Sequence, residues 1–146
     1  MDVLAEAIRT YEGPPVRWRL IGEGPMREAC QTLLADLCID GAGPGVIFEP
    51  WGPLLELPGR LASSDAILGI FGSTDKARRV IPNKVYQGLA IGRPVITAST
   101  PAYPESLRAD EDQGLFWALP GDPASIHLAV ERLFARRHML QALAGA

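Results

Sequence analysis

Stretches with apolar residues at helical spacing alternate with short, continuous apolar runs along most of the chain. The first pattern predicts helices with one face against a core, and the second predicts strands that are buried on both faces. Pro123 after Asp122 marks a helix start, and Gly92 marks a helix stop. The predicted helices cover 2–13, 24–40, 82–91 and 122–146. A short or broken helix is predicted at 53–64, interrupted at Pro58 and Gly59. The predicted strands cover 16–22, 45–51, 65–72, 115–120 and a run that follows Pro94 and ends at 98.

This alternation indicates an α/β fold, in which about five parallel strands form a sheet with helices on both faces. The chain has 146 residues, so we expect a single domain over 1–146. Ligands of such sheets bind at the carboxyl ends of the strands, near the point where the strand order reverses. The loops after 22, 51, 72 and 98 are therefore candidates for a site. Polar loops are expected at 73–79 and 98–114, the second with room for one helical turn.

Composition and charge narrow the class of protein. The net charge is −3 and no basic run occurs, which argues against nucleic acid as the main partner. Apolar runs are too short for a transmembrane segment and the first residues contain no signal core, so we expect a cytoplasmic protein. Cys30 and Cys38, eight residues apart on a predicted helix, would be separated by about 12 Å and are expected to be free thiols. His127 and His138 have no neighbour at metal or triad spacing, and we expect them at the surface or in packing.

The first candidate site is the glycine turn in "LIGEGPMREA" (20–29), between a predicted strand and a predicted helix. Gly22 and Gly24 would let the backbone approach a phosphate at the helix N-terminus. The third glycine of the dinucleotide fingerprint is absent because Arg27 stands there, and no acidic residue clearly closes the second strand. A dinucleotide-binding or flavodoxin-like domain therefore remains only a weak alternative, supported by the sheet pattern and one pair of glycines.

The second candidate site is the N-terminus of the helix predicted over 82–91. Lys84 lies in its first turn, where a cation costs about 0.3–1 kcal/mol against the helix dipole. A bound anion would make the interaction at this helix start favourable. The alternative is that Lys84 is a solvated surface residue and the small cost remains. Helical projection predicts a polar arc with the small Gly88, lining a cleft, and an apolar arc that packs on the sheet. The polar arc contains Asn83, Lys84, Gln87 and Gly88, and the apolar arc contains Val85, Tyr86, Leu89 and Ala90.

The third candidate is Glu105, in the proline-rich loop that follows a predicted strand. Loops at that end of a sheet commonly hold binding groups, although most single acidic side chains in loops are only solvated.

Several motifs occur together in the order found in group 1, GT4-like glycosyltransferases. They are "LIGEGPMREA", "SSDAILGIFG", "IPNKVYQGLAIGRPVITA", a following glutamate and "GLFWALPGDPASI". The chain resembles, over nearly its whole length, the C-terminal, donor-binding half of the GT-B fold. The resemblance implies a Rossmann-like domain that binds a nucleoside-diphosphate sugar for glycan biosynthesis. It implies no cofactor and no demand for a metal ion.

The resemblance also assigns roles to residues. Lys84 would face the donor diphosphate, and Gln87 occupies the place of a glutamate that commonly binds the ribose hydroxyls. Glu105 matches an acid near the donor sugar and is the expected catalytic residue. Gly22 and Gly24 would flank the base-side edge of the cleft. The remaining expected donor-binding residues are Ser73, Asp75, Arg79 and Asn83, of which Asp75 is only a weak match to the family's upstream acid.

The pattern departs from that family at its beginning. The strand and phosphate-binding turn that normally open the C-terminal half have no counterpart before "MDVLAEAIRTYEG", and neither has the N-terminal acceptor domain. The resemblance places that strand in the middle of the sheet, between those at 16–22 and 65–72. A missing N-terminal domain or a second copy of the chain is therefore an expected partner. The alternative is a non-catalytic interaction or assembly module derived from a glycosyltransferase.

Overall fold

The computed structural model describes residues 2–21, 27–108 and 114–138. Seven helices and five strands alternate along these residues. The helices are α1 Asp2–Thr10, α2 Arg27–Leu33, α3 Leu57–Ala62, α4 Asp75–Arg79, α5 Asn83–Ala90, α6 Glu105–Arg108 and α7 Pro123–Ala135. The strands are β1 Arg17–Ile21, β2 Gly45–Glu49, β3 Ile67–Leu68, β4 Val95–Ala98 and β5 Leu115–Ala118. Short 3₁₀ turns follow α2 (Ala35–Leu37) and precede α3 (Leu54–Glu56).

The strands form two parallel sheets. One pairs β1 with β2, and the other has the order β3-β4-β5. In the first sheet Arg17 lies opposite Gly45, and in the second Val95 lies between Ile67 and Leu115. The Rossmann-like α/β class is thus confirmed, although the described strands make two small sheets instead of one continuous sheet.

Two hydrophobic cores lie on opposite faces of the β3-β4-β5 sheet. The first, which we call the α1/α7 core, brings both sheets under helices α1 and α7. The second, the α5 core, packs α5 and the segment around α6 against the β3-β4-β5 sheet. Helices therefore cover both faces of this sheet, as expected for the class. The α1/α7 core includes Leu4, Ile8, Trp18, Val46, Ile96, Phe116 and Ile126, and the α5 core includes Ile67, Val85, Val95, Tyr103 and Leu115.

Local signals explain where the helices begin and end. The Asp122 carboxylate accepts a hydrogen bond from the Ala124 amide at 3.1 Å, and Pro123 begins α7 as predicted. Gly92 follows α5 with a φ of 74°, which a side chain would disfavour. Thr74 caps α4 by accepting a hydrogen bond from the Ala77 amide at 3.2 Å.

The structure corrects several element predictions. Residues 73–79 are not entirely loop, because the Thr74 cap starts helix α4 there. Pro58 and Gly59 do not interrupt a helix; proline occupies the first turn of α3, where its missing amide costs nothing. The helix predicted over 24–40 ends as α2 at Leu33, so Cys38 lies in a bridge to Val46 instead of on that helix. Neither Cys30 nor Cys38 forms a disulfide, as predicted.

Within the described residues, no helix is long and apolar enough to cross a membrane.

Candidate functional site

The carboxyl ends of β3, β4 and β5 converge at one edge of the second sheet. The loop after β5 reaches the segment after β3, where the Gly121 amide donates a hydrogen bond to the Phe71 carbonyl at 2.8 Å. Gly121 has a φ of 72°, and a Cβ built on it would lie 3.3 Å from the Ser73 hydroxyl. The predicted site residue Ser73 thus lies at this edge, beside the loop that leads into α7, and its side chain is exposed.

Helix α5 begins at the same edge, because it leads from the carboxyl end of β3 back to the start of β4. Pro82 occupies the N-cap position with extended backbone angles, and no side chain caps the helix. No acidic residue lies in its first turn. The first amides of α5 are thus without a side-chain acceptor, which leaves a site for an anion.

Asn83, Lys84 and Gln87 are exposed on α5. Among the described residues, Lys84 has no ion pair and no hydrogen bond from its side chain. The lysine therefore stands in the first turn without the carboxylate that would offset its unfavourable interaction with the dipole.

The predicted division of α5 into two arcs is wrong in part. Gly88 does not line a cleft: it is buried, and a Cβ built there would lie 2.6 Å from Val95 Cγ2 and 3.2 Å from Ile67 Cβ. Tyr86, expected against the sheet, is 58% exposed, and Leu89 and Ala90 are exposed as well. Because glycine lets the helix approach closely, α5 packs on the strands through Val85 and Gly88.

Helix α4 brings three cations to the segment between β3 and α5. Asp75 is its first residue, and Lys76, Arg78 and Arg79 follow within its five residues. All four side chains are exposed. The predicted residues Asp75 and Arg79 thus lie on one short helix at the carboxyl edge, where the local charge is positive.

Glu105 is the first residue of α6 and is exposed. It follows the carboxyl end of β4, as predicted. No hydrogen bond or ion pair joins it to Lys84 or Gln87 within the described residues. Beneath this loop, the Tyr103 hydroxyl lies 3.4 Å from Thr97 Oγ1, and burial raises the pKa of Tyr103. Thr97 and Tyr103 anchor the start of the loop in the α5 core.

Gly22 and Gly24 lie outside the described residues, so their expected place at the base-side edge stays a prediction.

An ion-pair cluster at the end of β2 was not predicted from the sequence. Arg19 Nε donates to Glu49 Oε1 at 2.8 Å, and Arg60 Nη2 donates to Glu49 Oε2 at 2.8 Å. Arg19 also donates to the Ser63 hydroxyl at 2.7 Å. The hydrogen bond from Arg19 lowers the pKa of the Glu49 carboxyl from 4.5 to about 2, with a smaller contribution from Arg60. The alternation of charged and apolar residues in "RWRLI" puts both arginines of β1 on the face opposite Trp18, but it does not reveal their partners.

The same cluster fixes the loop after β2. Arg60 Nη2 donates to the Pro50 carbonyl at 3.1 Å. The next residue, Trp51, is 60% exposed, and Leu54 and Leu55 are exposed too. An apolar surface therefore follows the carboxyl end of β2.

His127 takes part in packing, as predicted. His127 Nε2 lies 2.6 Å from the Ala7 carbonyl oxygen, and its ring meets Tyr11 edge-on, which joins α7 to α1. His138 is exposed. Across residues 2–21, 27–108 and 114–138, no three His, Cys, Asp or Glu side chains cluster as metal ligands would.

Comparison with known proteins identifies the family. The sequence model of the family described as glycosyl transferases group 1 matches residues 1–136, which is most of the chain. No curated protein and no solved structure gives a significant match. The match covers every described strand and the candidate site residues together. The chain therefore belongs to the group 1 glycosyltransferases.

Proposed function

We propose that this chain is the donor-binding domain of a retaining glycosyltransferase and holds a nucleoside-diphosphate sugar at the carboxyl edge of the β3-β4-β5 sheet. The observation that carries the proposal is the start of α5. Its amides lack a side-chain cap, and Lys84 stands beside them without an ion-pair partner in the described structure. A diphosphate supplies the acceptors and the negative charge that this helix start lacks.

The charge around this helix start supports a polyanionic ligand. Arg78 and Arg79 lie in the last turn of α4, just before α5, and Asp75 is the one carboxylate of that helix. In glycosyl transfer, the bond between the sugar and the diphosphate breaks and negative charge develops on the departing diphosphate. Fixed amides and the Lys84 ammonium stabilise that charge without a metal ion.

The rest of the donor would extend from α5 toward α6 and the loop after β5. Gln87, one turn after Asn83 and Lys84, donates and accepts hydrogen bonds and is suited to a ribose diol. Glu105 at the start of α6 would lie near the donor sugar, where a carboxylate stabilises positive charge on the ring. Ser73, beside Gly121, would contact the donor between these two loops.

Gln87 also favours a second candidate function. A neutral amide binds a diol less strongly than a carboxylate, because charge-assisted hydrogen bonds are roughly twice as strong. If donor binding has been lost, the domain would serve as a non-catalytic interaction or assembly module. Donor binding decides between the two functions.

The deciding experiment is a calorimetric titration of the chain with UDP and with GDP. We expect saturable binding of at least one of them, and Lys84→Ala should weaken it about 10- to 100-fold, since a hydrogen bond to a charged group contributes about 1.5–3 kcal/mol. Lys76→Ala is the matched control. Lys76 is the only other lysine of the sequence, and its substitution removes the same charge without altering α5. It should change the affinity less than threefold, as an exposed charge at a distance does.

Two results would contradict the proposal. Absence of binding at millimolar nucleotide would favour the interaction module. Equal losses in the two lysine variants would show general attraction of an anion to a positive surface instead of a site at the start of α5.

A further inference from the structure

Thr100 carries a buried hydroxyl group that has no hydrogen-bond partner. The residue lies between β4 and α6, in a loop of residues 100–104 that we call the β4–α6 loop, and it is only 3% exposed. Its Oγ1 atom is closed off from solvent and forms no hydrogen bond with any residue that the structure describes. The large majority of buried side-chain polar atoms in folded proteins are paired, so this unpaired hydroxyl lowers stability and requires an explanation.

The position of Thr100 in the fold connects it with the candidate site. The Ala98 amide donates to the Ile70 carbonyl at 3.1 Å, and the Ser99 amide donates to the Ala118 carbonyl at 2.9 Å. The chain therefore enters the β4–α6 loop at Thr100, between the segments that follow β3 and β5. Ligands of parallel sheets bind at this end of the strands.

Long contacts hold the β4–α6 loop in place. The Tyr103 amide donates to the Thr100 carbonyl at 3.2 Å, and the Tyr103 hydroxyl lies 3.4 Å from Thr97 Oγ1. The first distance is at the upper end of the usual range for an amide donor, and the second exceeds the usual distance between two hydroxyls. Pro101 and Pro104 of this loop are exposed. A shift of the loop therefore breaks only weak hydrogen bonds.

A second unpaired polar atom lies beside the same loop. Trp117 lies opposite Thr97 in the ladder between β4 and β5, and its ring meets Tyr103 edge-on with the centroids 4.8 Å apart. The Nε1 atom of Trp117 is buried and has no hydrogen-bond partner within the described ranges. Two unpaired atoms next to one loop indicate that its hydrogen bonds are incomplete in the free chain.

We propose that the Thr100 hydroxyl binds an oxygen of the donor diphosphate after the β4–α6 loop shifts and uncovers it. This inference rests on the proposed donor binding at α5. The cations of α4 and Lys84 favour an anion at this edge, and a phosphate oxygen accepts the hydrogen bond that the hydroxyl lacks in the free chain. Because α6 follows the loop directly, the shift also moves Glu105.

Two substitutions at Thr100 test the role of the hydroxyl. Thr100→Val replaces it by a methyl group of similar shape, so the urea midpoint should equal or exceed that of the unchanged chain. Thr100→Ser keeps the hydroxyl but loses a buried methyl group, so its midpoint should fall.

Nucleotide binding should rank the two variants in the opposite order. In calorimetric titrations with UDP and GDP, Thr100→Val should lose about tenfold or more in affinity, because it lacks a hydrogen bond to a charged group. Thr100→Ser retains that hydrogen bond, so its affinity should stay close to that of the unchanged chain.

Three results would overturn the proposal. A lower urea midpoint in Thr100→Val would show that the hydroxyl already has a partner in the free chain, such as an internal water molecule. An unchanged nucleotide affinity in Thr100→Val would exclude binding by the hydroxyl while leaving the proposed function intact. If the unchanged chain binds neither UDP nor GDP, donor binding at α5 fails and this inference fails with it.

The fluorescence of Trp117 tests the shift of the loop. In a Trp51→Phe variant, which lacks the exposed tryptophan, UDP or GDP should change the emission with the half-saturation concentration found by calorimetry. The change should disappear when Trp117 is also replaced by phenylalanine, because the remaining Trp18 is buried in the α1/α7 core. Emission that stays unchanged at saturation, or a change that persists without Trp117, would contradict a movement of the β4–α6 loop.

Discussion

The two sheets of this domain are stabilised in different ways. In the β3-β4-β5 sheet, all of β4 and three of the four residues of β5 are buried. In the β1-β2 sheet, each strand of five residues has only one buried residue. The second sheet is thus a closed hydrophobic layer, whereas the first relies on a polar cluster, Glu49 with Arg19 and Arg60, at its carboxyl end.

The candidate site lies on the better-packed of the two sheets. The sheet with the stronger core carries α4, α5 and α6, which hold the predicted donor-binding residues. The sheet with the weaker core ends in the exposed loop around Trp51. A site built on the second sheet is held in place by packing, whereas the first sheet depends more on its ion pairs.

The largest expected effect comes from comparing one phenylalanine in each sheet. Phe116 is fully buried in β5, so Phe116→Ala should lower the free energy of unfolding by about 3–5 kcal/mol. Phe48 in β2 is only partly buried, and Phe48→Ala should cost about half as much. Urea denaturation measures both values, and Phe116→Leu replaces the alanine variant if that variant does not fold. Equal losses would show that the two sheets are equally well packed.

A glycine pair tests the close packing of α5 on the second sheet. Gly88→Ala would place a Cβ 2.6 Å from Val95 Cγ2 and should cost about 1–3 kcal/mol. Gly59→Ala in α3, where no atom lies within 4 Å of the new Cβ, should instead stabilise the protein by about 0.5–1 kcal/mol. Thermal unfolding followed by circular dichroism distinguishes these opposite signs. A stabilising Gly88→Ala would mean that α5 does not approach the strands this closely.

The smallest expected effect concerns the polar cluster of the first sheet and its dependence on pH. Folding lowers the pKa of Glu49 from 4.5 to about 2, so its ion pairs stabilise fully above pH 4.5 and lose that effect as pH falls toward 2. At pH 7, Glu49→Gln should cost about 1–2 kcal/mol, a value reduced because the carboxylate is partly solvated.

The control for this variant is Glu12→Gln, since Glu12 is exposed and has no ion pair among the described side chains. Urea denaturation between pH 7 and pH 3 should show the difference between the two variants shrinking at the acid end. A difference that does not change with pH would assign the cost to packing instead of charge.

The strands of the second sheet were predictable from sequence because both faces of that sheet are covered, which requires apolar runs such as "AILGIF". The short helix α4 was missed, since its only signal is the single capping residue Thr74 in a polar segment. Helical projection put Gly88 on the wrong face of α5. Glycine is neither polar nor apolar in such a projection, although its lack of a side chain allows close packing.

The residues of the candidate site and of the ion-pair cluster also differ in how well the sequence predicts them. The position of Lys84 in a first helical turn followed from Pro82 and the apolar spacing after it. The ion pairs of Glu49 join residues 30 and 11 positions apart, and no local pattern reveals such pairs. Residues fixed by local signals were thus predictable, and residues fixed by contacts between distant segments were not.

The bridge between Cys38 and Val46 has a consequence for self-association. An open strand edge can recruit identical edges and grow into fibrils, and covering the edge prevents this. Residues 38 and 39 cover β2 with a single backbone hydrogen bond, from Ile39 to Val46, next to an exposed thiol. Alkylating Cys38 with a bulky reagent therefore threatens colloidal stability more directly than it threatens folding.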